Sequence, residues 1–257
     1  MKLLASDYDG TLHYGDSIME EDLHAIAGWK EDGNVFVLAT GRSWPSIRKQ
    51  MEKFDLPADY IITNNGGMVF DKDGNELLSN YLDYVTALDI LYAAKESENV
   101  ASYVVNDGYS RHKVVVDPTV TDHRYPTMQP DLSEEDVMDL GKFAQIVLSM
   151  ASADAALDMS EQINHFFGAS VTAYTNNTVV DIVPKGVSKQ SGLDFVRAFI
   201  DVNDEDVYAI GDSYNDVPML ESVENSYVLA TAPEDVQNQA RHVVLSISNL
   251  IEQTKQF

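Results

Sequence analysis

The sequence of 257 residues contains no cysteine and few basic residues, with 17 lysines and arginines against 42 acidic residues. Without thiols the chain forms neither disulfides nor thiolate metal sites, which fits a reducing compartment such as the cytoplasm. A formal net charge of −25 repels nucleic-acid backbones and anionic membrane surfaces, so neither is an expected partner. A small anionic substrate would therefore need a local positive charge at its binding site.

Long apolar runs are missing as well. No stretch of about 18 apolar residues occurs, and the start from Met1 to Ser6 is too short for the apolar segment of a signal peptide. We therefore expect a cytoplasmic protein that neither spans a membrane nor is exported. Apolar residues make up 44% and charged residues 23% of the chain, which is typical of a folded enzyme. The sequence leaves the oligomeric state open.

Short apolar runs alternate with amphipathic stretches in the first part of the chain. The pattern predicts strands and helices in alternation at Leu3–Ser6, Glu20–Lys30, Val35–Ala39, Ser46–Phe54 and Tyr60–Thr63. Such alternation is typical of a parallel sheet with helices on both faces. It resumes after Lys185-Gly186 with a helix at Lys189–Phe199 and a strand at Val207–Ile210.

The region between residues 82 and 184 has a different pattern, in which strand-like runs and helix-like stretches predict an antiparallel sheet with helices on one face. We therefore predict an α/β core formed by residues 1–81 and 185–257, with an α+β domain inserted at residues 82–184. Loops tolerate such insertions when their two ends lie close together.

Several polar residues and one glycine follow the predicted strands or open the helix at residue 189. They are Asp7, Tyr8, Asp9, Thr40, Gly41, Lys189, Asp212, Asn215 and Asp216. In extended backbone Asp7 and Asp9 point to one side and Tyr8 to the other. Because the carboxyl ends of parallel strands form the ligand-binding edge of an open sheet, we expect these residues to meet in one crevice.

These residue types suit phosphoryl transfer, which requires an in-line nucleophile and neutralisation of negative charge. The carboxylate of Asp7 can be the nucleophile and form an aspartyl-phosphate. Asp9 can act as general acid toward the leaving oxygen and then as general base for water. Asp7 and Asp212 repel each other, so a cation must lie between them, and carboxylate oxygens are ligands that Mg²⁺ prefers.

The phosphoryl oxygens need hydrogen-bond donors and positive charge, which Thr40, the N–H of Gly41 and Lys189 can provide. Lys185 also precedes the helix and is the alternative to Lys189. Thr40 taken alone is also compatible with an ordinary helix N-cap. Asp216 is also compatible with a first-turn acid that the helix dipole favours.

In their order and positions these segments resemble the four motifs of the haloacid dehalogenase superfamily, and within it the Cof-type phosphatases, over essentially the whole chain. The resemblance implies a Rossmann-like core with an inserted cap domain, and a Mg²⁺-dependent phosphohydrolase of small phosphorylated metabolites such as sugar phosphates. Asn65-Gly66 also matches a segment common in this group.

The same resemblance assigns roles to residues of this chain. It implies catalysis by Asp7, Asp9, Thr40 and Lys189, binding of phosphate or substrate by Tyr8, Thr40, Gly41, Lys189 and Asn215, and metal binding by Asp7, Asp9 and Asp212 with support from Asp216.

Two other functions are compatible with these residues. A phosphomutase would return the phosphoryl group to the substrate instead of passing it to water. A signalling module would accept phosphate on an aspartate from a partner kinase, but the inserted domain has no role in that scheme. Two basic clusters in the inserted domain, Arg111-His112-Lys113 and His123-Arg124, are candidates for contact with the substrate's far end or for local ion pairs.

Overall fold

The computed structural model of the chain describes residues 1–254. Within these residues no helix combines the length and the apolar character needed to cross a membrane. The chain divides into two compact units, one formed by Met1–Leu78 together with the chain from Ser188 onward, and the other by Ser79–Val187.

The first segment of the chain contains β1 (Leu3–Asp7), β2 (His13–Tyr14), β3 (Ser17–Ile18), α1 (Glu20–Glu31), β4 (Val35–Ala39), α2 (Trp44–Phe54), β5 (Tyr60–Thr63), β6 (Met68–Asp71) and β7 (Glu76–Ser79). The middle segment contains α3 (Tyr84–Lys95), β8 (Val100–Asn106), β9 (Arg111–Val115), α4 (Glu134–Asp139), β10 (Gln145–Met150), α5 (Ala153–Phe167), β11 (Val171–Asn176) and β12 (Val179–Pro184). The last segment contains α6 (Lys189–Ile200), β13 (Val207–Gly211), α7 (Val217–Ser222), β14 (Asn225–Leu229), α8 (Glu234–Gln237), β15 (His242–Val244) and α9 (Ile247–Thr254). Single turns of 3₁₀ helix lie at Asn64–Gly66, Asp204–Asp206 and Tyr214–Asp216.

A sheet with the strand order β15-β14-β13-β1-β4-β5-β6-β7 forms the centre of the first unit. The strands from β15 to β5 are parallel, whereas β6 runs antiparallel to β5. The central strand β1 lies between β13 and β4 and pairs with both. In the pairing with β13, Leu3 lies opposite Val207. The predicted α/β fold class with a parallel core sheet is confirmed.

Apolar residues on both faces of this sheet are buried because helices cover them. On one face Leu193 and Val196 of α6 pack against strand residues such as Leu3 and Val207. On the other face α1 and α9 contact each other, and the carboxylate of Asp22 in α1 accepts a hydrogen bond of 2.7 Å from the N–H of Ser248 in the first turn of α9. That bond satisfies one of the N–H groups that a helix start leaves unpaired.

The second unit is built on an antiparallel sheet with the order β11-β12-β10-β8-β9. Alternate strand residues pack with α3 and α5 in one apolar cluster, which places these helices on the same face. On the opposite face a smaller cluster of Val104, Val147 and Val179 packs against Tyr125 and Met128. An α+β organisation with helices on one face was the expectation for this segment.

The unit boundaries differ slightly from the predicted domain boundaries. Prediction placed the inserted domain at residues 82–184, whereas the second compact unit is Ser79–Val187. The N–H of Lys185 donates to the carbonyl of Ser170 at 2.8 Å, which ties this residue to the antiparallel sheet.

Candidate active site

The first strand supplies two carboxylates in different surroundings. Asp7, the last residue of β1, is buried, while Asp9 exposes 40% of its side chain. Gly10 follows with φ of 95°, in a region that favours glycine. A Cβ atom at this position would lie 2.5 Å from Oδ2 of Asp212. Glycine is therefore required for the chain to turn against the Asp212 carboxylate.

Lys189 joins two buried carboxylates. Its Nζ donates to Oδ1 of Asp7 at 2.6 Å and to Oδ1 of Asp216 at 2.6 Å. Burial alone lowers the pKa of Lys189, but the negative charges of Asp216 and Asp7 outweigh burial and raise this pKa above its ordinary value. The lysine is therefore protonated and provides the positive charge that a phosphate site in this acidic chain needs.

The start of α6 positions Lys189. Ser188 is the N-cap of the helix, and its side chain accepts a hydrogen bond from the N–H of Ser191. The loop after β5 approaches this cap closely, because a Cβ atom at Gly66 would lie 1.9 Å from the carbonyl oxygen of Ser188. The segment Asn65-Gly66 thus allows the loop to pack directly against the helix that carries the lysine.

The residues after β13 hold the other two carboxylates. Oδ2 of Asp216 accepts hydrogen bonds from the N–H groups of Asp212 at 3.1 Å and Ser213 at 3.0 Å. Asp212 accepts hydrogen bonds from the hydroxyls of Thr11 at 2.7 Å and Ser213 at 3.0 Å. Burial raises the pKa of Asp212 even though these hydroxyls lower it. Ser213 therefore contributes both a main-chain and a side-chain bond to this loop.

Asp7, Asp212 and Asp216 form a cluster in which one oxygen of each lies within 4.8 Å of the others. Burial raises the pKa of Asp7 well above its ordinary value, against the lowering effect of Lys189. Among residues 1–254, Oδ2 of Asp7 is buried without a hydrogen-bond partner. Three converging carboxylates with such an oxygen suit a hard divalent cation. The donor set therefore fits a metal ion.

The carboxylate of Asp9 lies outside that cluster and pairs with Arg42. Arg42 donates from Nε to Oδ2 at 2.7 Å and from Nη2 to Oδ1 at 2.6 Å, which is the bidentate geometry of strong arginine–carboxylate pairs. The guanidinium also lies over the ring of Tyr8 at 5.1 Å from its centroid. The proposed acid/base is thus held by a residue that follows the second motif directly.

Thr40 and Gly41 continue β4 at the same edge of the sheet. The buried hydroxyl of Thr40 accepts a hydrogen bond from the N–H of Arg42 at 3.1 Å. Asn65 donates its N–H to the carbonyl of Thr40 at 3.0 Å and accepts a bond from Nδ2 of Asn215 at 3.0 Å. The loop after β5 therefore connects the residues expected to bind phosphate on β4 with those after β13.

The side chains of Tyr8, a predicted phosphate-binding residue, and Lys185, the alternative to Lys189, lie in other surroundings. The side chain of Tyr8 is buried away from the carboxylate cluster, and its hydroxyl donates to Gln50 at 3.1 Å. A contact between Tyr8 and phosphate would therefore come from its main chain. The side chain of Lys185 is exposed, whereas Lys189 contacts Asp7.

The basic clusters of the second unit have separate structural surroundings. Lys113 is buried in an ion pair with Asp122 at 2.7 Å, and His112 contacts Asp131 at 2.7 Å. His123 and Arg124 instead border a cavity of about 300 Å³, which Asn176, Asn177, Thr178 and Val179 also line. The first cluster is therefore engaged in local pairs.

Sequence reasoning gave no role to Arg42, Thr11 or the side chain of Asn65. Arg42 stands next to Gly41 and Thr11 stands next to Gly10, so adjacency to a motif was the available signal. For Asn65, the available indication was that Asn65-Gly66 matches a segment common in the family. The partners of these side chains come from distant parts of the sequence, which no local pattern contains.

Comparison with known proteins agrees with this architecture. The sequence profile of haloacid dehalogenase-like hydrolases matches residues 4–249, and the chain belongs to this family. The phosphatase BT1666 from Bacteroides thetaiotaomicron has the same fold, with a TM-score of 0.84 over 100% of this chain and 94% of that protein at 22% identity. The sugar phosphatase BT4131 gives a TM-score of 0.83 over 100% of this chain and 99% of that protein at 20% identity.

Curated relatives are similar along most of the chain. The HMP-PP phosphatase of Serratia proteamaculans is 25% identical over 234 residues, which are 90% of this chain and 84% of that protein. The 5-amino-6-(5-phospho-D-ribitylamino)uracil phosphatase YwtE of Bacillus subtilis is 23% identical over 274 aligned residues, covering 96% of this chain and 93% of that protein. The family match and these relatives confirm the prediction of an enzyme of the phosphatase class.

Proposed function

We propose that this protein is a Mg²⁺-dependent phosphohydrolase of small phosphorylated metabolites that forms an aspartyl-phosphate on Asp7. The observation that carries the proposal is the arrangement around Asp7. A buried carboxylate is paired with the protonated Lys189 and lies in one cluster with Asp212 and Asp216. Removal of the Lys189 charge would leave the buried carboxylates of Asp7 and Asp216 without compensation.

The reaction proceeds in two displacements at phosphorus. The carboxylate of Asp7 attacks, a P–O bond to Asp7 forms, and the ester P–O bond breaks. Asp9, which must enter this step as the carboxylic acid, gives its proton to the leaving alkoxide oxygen and becomes a carboxylate. Asp9 then takes a proton from water while the water oxygen attacks phosphorus, and the bond to Asp7 breaks. Inorganic phosphate leaves, Asp7 is again a carboxylate, and Asp9 is again the carboxylic acid.

The surrounding residues hold the phosphoryl group during these steps. We assign contacts with its oxygens to Lys189, the hydroxyl of Thr40, the N–H of Gly41 and Asn215. These donors are fixed before substrate arrives, so they cost little reorganisation in the transition state. Bound Mg²⁺, held by Asp7 and Asp212 with Asp216 in support, would supply positive charge that reduces repulsion between the carboxylates and the phosphoryl oxygens.

Sugar phosphates are the substrate class we propose. BT4131 is named a sugar phosphatase, and the relatives from Serratia and Bacillus are named for phosphorylated small molecules. The net charge of −25 disfavours nucleic acids and anionic membranes as substrates or partners. We propose that the segment predicted as a cap, residues 82–184, selects among such metabolites. The lack of cysteine is compatible with a cytoplasmic location, which we also propose.

A phosphate-release screen over sugar phosphates, nucleotides and cofactor phosphates tests the proposal. With Mg²⁺ the protein should release phosphate from at least one sugar phosphate, and EDTA should abolish this activity. Asp7→Asn keeps the shape of the side chain but removes the nucleophile, so we expect a loss of at least about 10³-fold in kcat. Full turnover by a folded Asp7→Asn variant would refute the assigned nucleophile. Product isomerisation without phosphate release would instead favour a mutase.

A further inference from the structure

Asn65 has an unusual backbone conformation for a residue that is not glycine. It lies in the 3₁₀ turn after β5 with φ of 54° and ψ of 36°, and Asn64 before it also has a positive φ. Asparagine tolerates this left-handed region better than most residues do, but the region still carries a cost. The surrounding structure must hold the turn in this form.

The side chain of Asn65 lies between two segments assigned to phosphate. Its Oδ1 accepts a hydrogen bond of 3.0 Å from Nδ2 of Asn215. A Cβ atom added to Gly41 would lie 3.1 Å from Oδ1 and 3.2 Å from Nδ2 of Asn65. The amide of Asn65 therefore packs directly against the main chain of Gly41, and glycine at that position makes the approach possible.

One end of this amide has no partner. Asn65 is 1% exposed, and among the residues that the structure describes its Nδ2 donates to no acceptor. A buried polar group without a partner costs about 1–3 kcal/mol, and such groups are few in folded proteins. The bond from Asn215 occupies Oδ1, so the two N–H donors are the part of the amide left for a ligand.

We infer that Asn65 is a substrate-contacting residue whose Nδ2 donates a hydrogen bond to a phosphoryl oxygen held by Thr40, Gly41 and Asn215. The inference rests on the proposed function, because that function places the phosphoryl group beside these three residues. A phosphoryl oxygen is a charged acceptor, which strengthens such a bond relative to a neutral one. A phosphoryl oxygen in this place gives the buried donor of Asn65 the acceptor that it lacks.

Two substitutions of Asn65 distinguish the effect of its amide donor from the effect of its backbone conformation. Asn65→Gly keeps access to positive φ and removes the amide, whereas Asn65→Asp keeps the shape and puts a carboxylate against the phosphoryl oxygens. Binding of orthovanadate, a mimic of the transferred group, can be measured in the presence of Mg²⁺ by calorimetry. We expect about 10-fold to 100-fold weaker binding for Asn65→Gly and a larger loss for Asn65→Asp.

A loss of vanadate binding in Asn65→Gly has a second explanation, because Asn65 also accepts a hydrogen bond from Asn215 and could act only by orienting that residue. The experiment must separate this indirect effect from a direct contact. In an Asn215→Ala background Asn65 has no Asn215 side chain to orient, so any remaining effect of Asn65→Gly reports its own contact with the ligand. We expect a further loss of about tenfold in vanadate affinity in that background. No further loss would overturn the inference and leave Asn65 as a positioning residue for Asn215.

A matched control lies in the same sheet, at the amino end of a strand rather than at the carboxyl end where the site lies. Asn225 begins β14 and donates its amide to the carbonyls of Glu205 and Val207. Asn225→Asp should leave vanadate binding unchanged. A wild-type protein that binds vanadate but hydrolyses no phosphate ester would contradict the proposed function and not the contact by Asn65. A wild-type phosphatase whose vanadate affinity is the same after Asn65→Gly would contradict the contact alone.

Discussion

Arg42 donates two hydrogen bonds to the carboxylate of Asp9, so both oxygens of the proposed acid/base are engaged by one guanidinium. The Asp9 carboxylate is not one of the three that form the cluster of Asp7, Asp212 and Asp216. The pair with Arg42 defines the direction in which the Asp9 side chain points. We infer that Arg42 positions Asp9 for proton transfer, although it does not touch the cluster itself.

Replacement of Arg42 by lysine keeps the positive charge but removes the bidentate hydrogen bonds to Asp9. We expect Arg42→Lys to lower kcat by about 10-fold to 100-fold, because small displacements of a catalytic group have effects of this size. KM should change less, since Asp9 acts on the leaving oxygen. The control is Arg48→Lys on α2, where Arg48 forms an exposed pair with Glu52. Equal losses in both variants would contradict a positioning role for Arg42.

Replacement of Lys189 by methionine leaves the buried carboxylates of Asp7 and Asp216 without their cation. We expect a loss of about 3–5 kcal/mol in the free energy of unfolding without Mg²⁺, measured by urea denaturation. Lys189 lowers the pKa of Asp7, so its removal raises that pKa further, and the loss should be smaller at about pH 5 than at about pH 8. Lys72→Met, which removes an exposed partner of Asp73, should leave the free energy of unfolding nearly unchanged.

Stability without metal should depend on pH through Asp7 and Asp212. Burial raises the pKa of both carboxyl groups, so above their ordinary value of 3.8 the folded protein binds more protons than the unfolded chain. The free energy of unfolding of the metal-free protein therefore falls as pH rises through that window. Mg²⁺ competes with these protons, so its increase in Tm should be larger at about pH 8 than at about pH 5.

Differential scanning calorimetry with and without saturating Mg²⁺ measures this effect. A concentration of 100 times the dissociation constant would stabilise the protein by about 2.7 kcal/mol. Asp212→Asn should remove most of the increase in Tm. An increase that is independent of pH, or one that survives in Asp212→Asn, would contradict binding of the metal at this cluster.

The ion pair between Asp122 and Lys113 should stabilise the second unit. Burial alone raises the pKa of Asp122, but hydrogen bonds from Lys113, Ser102, the N–H of Tyr125 and Ser149 outweigh burial and lower this pKa. The stabilisation is present at neutral pH and is lost as pH falls below the ordinary value. We expect Asp122→Ala to cost about 3 kcal/mol at neutral pH and less in acid, measured by urea denaturation.

Asp117 provides the matched control for that measurement. It lies in the same segment, is half-buried, and its carboxylate accepts hydrogen bonds from the N–H and the hydroxyl of nearby Thr119. Asp117→Ala should lower the free energy of unfolding much less than Asp122→Ala, because no buried cation loses its partner. Similar losses for Asp117→Ala and Asp122→Ala would contradict the central role of the Asp122 pair.

The sequence predicted the elements whose pattern is local and strong. Val35–Ala39 and Tyr60–Thr63 are strands with the predicted bounds, because continuous apolar runs between turn residues favour buried parallel strands. The same reasoning brought Asp7, Thr40 and Asp212 to one edge of the sheet, since each directly follows or ends a parallel strand.

Other features depend on contacts between distant residues. The helix α9 was not predicted, and its start is completed by Asp22, which lies 226 residues earlier in the chain. The short strands β2 and β3 are two residues each, too short to leave a periodic pattern. Lys113 belongs to a basic cluster in the sequence but is buried against Asp122. Local polarity therefore did not distinguish an exposed charge from an internal ion pair.

The pairing of β1 with β13 has a consequence for how the enzyme is made. Asp7 is synthesised well before its neighbours Lys189, Asp212 and Asp216, because Lys189, the first of them, lies 182 residues later in the chain. A ribosome-bound polypeptide that stops before Val207 lacks β13, one of the two strands that pair with β1. We expect such truncated products to be catalytically silent, so that hydrolysis begins only after translation has delivered both halves of the sheet.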